Sequence, residues 1–334
     1  EYLIKKDIVH KPEDGDRHIH TSSIPRMGGI IIFTVVIIIT FSFYHDIYSK
    51  IFFISGAIIA FLLGLVDDYR GVTWKIKFIF QSVAAALLIL SFHADNLTVF
   101  KFLGFTLLPG INYIILFLLI VGLLNSFNFM DGLDGLVSGY SLIVAAMCFL
   151  LNMGSGFIFI GYLSASLVGT TLGFLKFNAN PARIFLGDSG SLTLGYLISG
   201  LVVLISGEVS INPQNNVQAY SDTIDLTFII IVLALPLSDT IRVMLIRLKQ
   251  RKHLFLADTN HLHHILFSKN IRHKTVVLLI HLFSITFVLL AIYYAKYSKT
   301  NALIVFAALL VIFFSIQYIL GFFINKGVLI AYSR

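Results

Sequence analysis

Of 334 residues, 57% are hydrophobic and only 12% charged, about half the charged share of an ordinary soluble domain. The mean hydropathy is +0.91, and the apolar residues gather into runs of roughly 16 to 22, the length that crosses a bilayer as helix. These values exclude a soluble enzyme, a secreted disulfide scaffold and a disordered tail. The single cysteine, Cys148, lies inside an apolar run, which excludes an intrachain disulfide and a cysteine-built metal site. A net charge of +7 in such a chain sets membrane orientation and is not read as nucleic-acid binding.

In chain order, residues 1–27 form a lead-in segment ending HIHTSSIPRMGG, with His18, His20, Arg26, Gly28 and Gly29 just before the first apolar run. Helices are predicted at 28–44, 51–66, 76–92, 111–127, 137–152, 157–175, 190–206, 226–242, 275–294 and 302–323, a single all-α, polytopic membrane domain over 1–334. About ten crossings put both termini on one side. The segments 1–27, 67–77, 125–136, 176–189, 242–274 and 324–334 hold 20 of the 24 Lys and Arg residues, so that side is expected to be cytoplasmic. The opposite loops, 45–50, 93–110 and 207–225, read as solvated connectors. The chain begins at Glu1 and carries no signal-peptide pattern, so upstream sequence is expected.

Most groups capable of chemistry fall on the basic side. In GLVDDYRGVTWKIKF, the adjacent carboxylates Asp67 and Asp68 need a compensating cation, a divalent ion or Lys75 and Lys77; a hydrated acidic turn is the alternative. In NSFNFMDGLDGL, Asn125, Asn128, Asp131 and Asp134 recur at spacings that keep them near one helix face, suiting a hard cation or a polar substrate. In NPARIFLGDSGS, Asp188 and Ser189 open a helix whose N-terminus favours phosphate, although Asp188 also suits a plain N-cap; Phe185 offers a stacking surface. The basic loop 242–274 carries Asp258, Asn260, His261, His263 and His264, whose imidazoles suit a diphosphate or a zinc ion. Carboxylates facing phosphates require an ion between them.

In this order, IPRMGG, VDDY, the NxxNxxDGLDGL run, NPARIFLGDSGS and HLHH resemble the polyprenyl-phosphate N-acetylhexosamine-1-phosphate transferases of glycosyltransferase family 4, over nearly the whole chain. The IPRxGG segment and the HLHH loop are similar to the bacterial branch that uses UDP-N-acetylglucosamine for O-antigen or teichoic-acid linkage units. The branch acting on UDP-MurNAc-pentapeptide usually shows three consecutive histidines and an acid, where this chain has Leu262 and Ile265. The resemblance implies transfer of sugar-1-phosphate from a UDP-sugar to undecaprenyl phosphate in the bacterial cytoplasmic membrane, with release of UMP. It implies Mg2+, replaceable by Mn2+, on Asp188 and Asn128. Asp67, Asp68, Asp131, Asp134, Lys77, His261, His263 and His264 are implied to be catalytic. Asn125, Asn128, Phe185, Lys75 and Arg26 are implied to bind substrate. It further implies one more N-terminal helix and a possible homodimer, with UDP-N-acetylfucosamine or UDP-MurNAc-pentapeptide as alternative donors.

Other classes fit less well. An intramembrane prenyltransferase wants a second acid in the turn after Asp67 and Asp68, a CDP-alcohol phosphotransferase wants Ala-Arg where Leu136-Val137 stand, and neither explains the histidines. A transporter should carry ionisable groups in mid-membrane, and the span interiors are nearly free of charge, Asp239 and Arg242 lying near a helix end.

Overall fold

The computed structural model describes residues 9–10, 24–94, 99–108, 110–153, 157–209, 223–251, 261–267 and 271–331. The predicted candidates His18, His20, Asp258 and Asn260, and the side chains of His263 and His264, lie outside the described residues.

The helices are α1 (Gly28–Phe43), α2 (Ile51–Arg70), α3 (Trp74–Ala94), α4 (Ile111–Met130), α5 (Leu136–Asn152), α6 (Ile158–Asn178), α7 (Gly187–Val209), α8 (Leu226–Val232), α9 (Ala234–Lys249), α10 (Leu262–Phe267), α11 (His273–Lys296) and α12 (Lys299–Ala331). Each apolar run predicted as a helix coincides with one of these, or with the pair α8 and α9. Among the described residues, 6 helices are long and apolar enough to cross a membrane, or 7 if the bent pair is one span, and α1, α5 and 299–315 are shorter apolar helices. The chain is an integral membrane protein, and its lipid-facing surface carries large apolar side chains such as Ile38, Leu62, Leu118 and Leu289.

Helix α7 is the axis of the bundle. Its apolar window is 100% buried, against 33% to 39% for α2, α3 and α11, and it packs on α1, α2, α4 and α5. Small residues make this enclosure possible, because without a hydrophobic drive between helices in lipid, close backbone approach supplies the packing. A Cβ on Gly64 would overlap the Asp188 carbonyl oxygen, and one on Gly29 would overlap the backbone of Ser189 and Gly190. Within α7 the Thr193 hydroxyl donates to the Ser189 carbonyl and that of Ser199 to Gly195, each at 2.6 Å, satisfying hydroxyls that have no water to meet.

Two features depart from the sequence reading. The predicted helix over 226–242 is broken: α8 and α9 meet at 83°. The bend falls at Leu233 (φ −100°, ψ 18°). Pro236 sits in the first turn of α9, where its missing N–H costs nothing, so α9 restarts and runs on to Lys249. The supposed connectors 93–110 and 207–225 contribute strands, so the fold is mostly rather than wholly helical. In the lead-in segment β1 (Val9–His10) pairs antiparallel with β2 (Ile24–Pro25), while β3 (Val99–Phe102) pairs antiparallel with β4 (Phe105–Thr106) and parallel with β5 (Thr223–Asp225). Asp225, 2% exposed, ties this sheet to the bundle. Its Oδ1 caps α8 at Thr227 and Phe228 N, and its Oδ2 accepts from the Tyr294 hydroxyl at 3.0 Å.

Gly64→Ala is expected to destabilise the detergent-solubilised protein by about 1–3 kcal/mol as the α2–α7 contact is forced apart. Gly122→Ala, whose Cβ would meet nothing within 4 Å, is expected to leave the melting temperature unchanged. Thermal unfolding of both variants checks this.

Candidate active site

At the end of the bundle opposite the β3–β5 sheet, the N-terminus of α7 meets the C-terminal ends of α2 and α4 and the start of α3. A helix begins with unpaired N–H groups and a positive dipole end. Here they are met from another helix: Asp68 Oδ1 accepts from Asp188 N at 2.8 Å and Oδ2 from Ser189 N at 2.9 Å. Gly187 turns the chain into α7 with φ +73°, and a Cβ there would strike the Arg26 carbonyl and the Asp68 carboxylate. Asp68 therefore sets the Asp188 backbone, whereas the sequence placed it with the catalytic acids. Two of the N–H groups at this helix start, those of Asp188 and Ser189, are thereby spent on a carboxylate.

Lys77, from the first turn of α3, donates to Asp188 Oδ2 at 2.7 Å and pairs with Asp67 Oδ2. Asp67 Oδ1 accepts from Val72 N at 2.6 Å and so also closes the α2–α3 turn. Asn128 borders Asp188, its Nδ2 donating to Ser191 Oγ at 3.2 Å. Asp131 follows the end of α4. Its burial, together with the carboxylates of Asp188 and Asp68, holds its carboxyl well above the usual carboxylate range, and Arg26 opposes them. Among the described residues, Asp67, Asp68, Asp131 and Asp188 are met by Lys77 and Arg26, a surplus of two negative charges when all four acids are ionised. No group of three or more His, Cys, Asp or Glu placed to surround a metal occurs among the described residues.

The lead-in segment is laced to the same place. Phe185 N donates to Pro25 O at 2.9 Å, Gly28 N to Phe185 O at 3.0 Å, and Gly29 N to Leu186 O at 3.1 Å. IPRMGG and FLGDSG are thus the two sides of one contact. It sets Arg26 and Phe185 at the rim, both partly or fully exposed.

Other predicted site residues stand apart. Asn125, one helical turn deeper than Asn128, spends its amide on Gln81 Oε1 and the Val121 carbonyl, each at 2.8 Å, and pins α3 to α4. Lys75 is exposed and rests over the Trp74 ring at 5.8 Å. Asp134 is buried and holds the loop before α7: its Oδ2 accepts from Asn180 Nδ2 at 3.0 Å and Ala182 N at 3.1 Å, while its own N–H donates to His273 Nε2. Asn178 joins that clasp through Gly135 N and Ser138 Oγ. His261 is buried against α9, its Nδ1 bonded to Asp239 Oδ2 at 2.9 Å, with its ring 5.3 Å from Phe129. Gln81, Asn180, His273 and the anchoring by Asp239 were missed from sequence. Only NPAR, already part of a motif, offered a signal.

Comparison with known proteins follows the same lines. Residues 50–206 match the profile of glycosyl transferase family 4. The chain is 33% identical over 298 residues to a probable undecaprenyl-phosphate N-acetylglucosaminyl 1-phosphate transferase of Bacillus subtilis (strain 168), covering 86% of this chain and 78% of that one. It is 31% identical over 288 residues to the decaprenyl-phosphate N-acetylglucosaminephosphotransferase of Mycobacterium leprae, 80% and 72% of the two chains. It is 38% identical over 218 residues to the phospho-N-acetylmuramoyl-pentapeptide-transferase of Thermoanaerobacter sp. (strain X514), 61% and 68%.

Two substitutions separate the roles. With no metal present, Asp131 binds its proton more tightly folded than unfolded, so its ionisation costs stability as pH rises from the ordinary carboxylate range towards its raised value. Asp131→Asn is therefore expected to raise the melting temperature at neutral pH. Asp134→Ala, which orphans the buried Ala182 N–H, is expected to cost about 1–3 kcal/mol. Melting curves in chelator at two pH values read both.

Proposed function

The chain belongs to glycosyl transferase family 4 and is a sugar-phosphate transferase; we propose that it moves N-acetylglucosamine-1-phosphate from UDP-N-acetylglucosamine to undecaprenyl phosphate and releases UMP. The observation that carries this is the convergence of Asp188, Asn128, Asp131, Lys77 and Arg26 around one helix N-terminus at one end of a membrane bundle. In our reading the chain crosses the bacterial cytoplasmic membrane ten times, with this end and both termini cytoplasmic, because 20 of 24 basic residues lie on that side.

The donor set fits a divalent ion: oxygen ligands, no soft ligand, and a surplus of two negative charges over Lys77 and Arg26 once Asp67, Asp68, Asp131 and Asp188 are all ionised, which a bound cation would favour. Asp188 and Asn128 would hold magnesium, or manganese in its place, with Asp131 beside them; when bound it supplies charge neutralisation for the diphosphate. An ion that keeps several ligands from water and substrate phosphates needs no protein cage.

The chain's own groups do the rest. The acceptor phosphate oxygen attacks the β-phosphorus of the donor, the bond to the UMP oxygen breaks, and Lys77 and Arg26 offset charge on the phosphates. Phe185 at the rim suits stacking on uracil, and the histidine loop suits the phosphosugar. Asp67 is held at both oxygens, by Lys77 and by Val72 N, which favours positioning of Lys77 over a role as base. A phosphate monoester is already largely dianionic at neutral pH.

A second reading, with UDP-MurNAc-pentapeptide as donor, is favoured by the 38% identity to the Thermoanaerobacter protein. It covers 61% of the chain, against 86% and 80% for the N-acetylglucosamine-named relatives.

The test is UMP release by the purified protein in detergent with undecaprenyl phosphate, Mg2+ and each UDP-sugar. We expect turnover with UDP-N-acetylglucosamine, its loss in EDTA, and a loss of at least about a hundredfold in Asp188→Asn. Turnover with the pentapeptide donor alone would move the assignment to the second reading. For Asp67→Asn we expect a rate defect independent of pH. A defect that shrinks as pH rises would restore Asp67 as base.

A further inference from the structure

Asp239 is a buried acid, among the described residues, to which the site described so far gives no part in the reaction. Asp239 lies one turn into α9, just after the break, 9% exposed. Its carboxylate takes three bonds. Oδ2 accepts from His261 Nδ1 at 2.9 Å, and Oδ1 accepts from Leu262 N at 3.0 Å and from Arg242 Nη2 at 2.9 Å. An ionised carboxylate only accepts, so Nδ1 carries the ring proton. The Leu262 N–H is the first of α10, so one side chain both orients the imidazole and caps the short helix bearing His263 and His264. The ring it orients stacks obliquely on Phe129 at 5.3 Å, and the Arg247 guanidinium sits over the same phenyl ring at 5.4 Å. Phe129 directly follows Asn128.

We propose that Asp239 is a positioning residue for the transfer reaction, holding His261 in one tautomer and docking the HLHH segment against α4 beside Asn128. The inference rests on the reading of the chain as a sugar-1-phosphate transferase that uses His261. The physical reason is that a buried carboxylate on a ring nitrogen fixes both tautomer and ring plane, as with metal-bound or catalytic histidines. The broken span is what makes the contact: an unbroken continuation of α8 could not turn by 83° to bring Asp239 under the loop.

The experiment compares the full chain with Asp239→Ala, Asp239→Asn, His261→Ala and the double variant Asp239→Ala/His261→Ala. It measures UMP release and the 15N resonances of the His261 ring, assigned by their loss in His261→Ala. We expect the wild-type ring to show the Nδ1–H tautomer. Asp239→Ala should lower kcat by about 10- to 100-fold with KM changed less than about threefold, and the double variant should be no slower than His261→Ala within about twofold. Asp239→Asn offers a single acceptor oxygen, which Leu262 N–H and Arg242 Nη2 take, so its amide nitrogen meets Nδ1; it should show the Nε2–H tautomer and recover little of that loss. If Asp239→Ala fails to fold, a folded Asp239→Asn with the Nε2–H tautomer and a lowered kcat at little-changed KM still supports the assignment, and one with that tautomer at the wild-type rate overturns it. An unchanged rate in Asp239→Ala, losses that multiply in the double variant, or an Nε2–H tautomer in wild type would overturn it. A wild-type protein showing the Nδ1–H tautomer but releasing no UMP with any donor would refute the transferase reading instead.

Discussion

The enclosure of α7 is the constraint on which the site depends. A helix surrounded by protein along its whole apolar window has no water to satisfy its first N–H groups, and each unpaired one costs free energy in a low-dielectric setting. The chain answers with a carboxylate from α2, Asp68, on the N–H groups of Asp188 and Ser189. That solution draws a second acid, Asp67, to the same place. The pair then needs Lys77, which also reaches Asp188. The VDDY and GDSG motifs are therefore parts of one electrostatic arrangement: the cap fixes the backbone of Asp188, and the lysine fixes its side chain.

Asp131 makes the arrangement unbalanced. It is pushed towards its protonated form by burial and by Asp188 and Asp68, with Arg26 in opposition. A protein gains nothing in stability from such crowding; sites that hold carboxylates close together commonly serve a cation or a reaction. The groups around it are, by contrast, hydrogen-bonded to the protein. Asp134 clamps the 178–182 loop, Asn125 bonds Gln81, and the lead-in strand binds Phe185 and Leu186 through backbone atoms. The crowded acids are few and are held by neighbours that are themselves hydrogen-bonded, which is how a reactive constellation is kept in place.

Much of this was legible in the sequence. Apolar runs near bilayer length coincide with helices, because burial or lipid contact demands apolar residues whatever the partner. Asp188, Asn128, Asp131 and Lys77 stood out as candidates from acids and amides clustered at helix ends, their roles being what the family resemblance implies, and the structure brings them together. The divisions within motifs were not legible. Periodicity places Asn125 on the same face as Asn128 but does not say that one turn deeper it meets Gln81. Adjacent Asp67 and Asp68 read alike, yet successive residues on a helix point about 100° apart, so one faces Lys77 and the other α7. The break at Leu233 left only Pro236 as a trace, and a proline in a membrane helix has several outcomes. Strand β5 and the cap formed by Asp225 depend on pairing with a segment over a hundred residues away, which local pattern does not reveal.

In the reading proposed here, one divalent cation matches the negative charge left over around α7 when its four acids are ionised. Electron paramagnetic resonance of added Mn2+, with the purified protein and UMP present, tests it most directly. A single bound Mn2+ per chain is expected, displaced by Mg2+, and lost in Asp188→Asn while retained in Asp134→Asn. Mn2+ bound equally by the wild type and Asp188→Asn, or not bound by either, would contradict it.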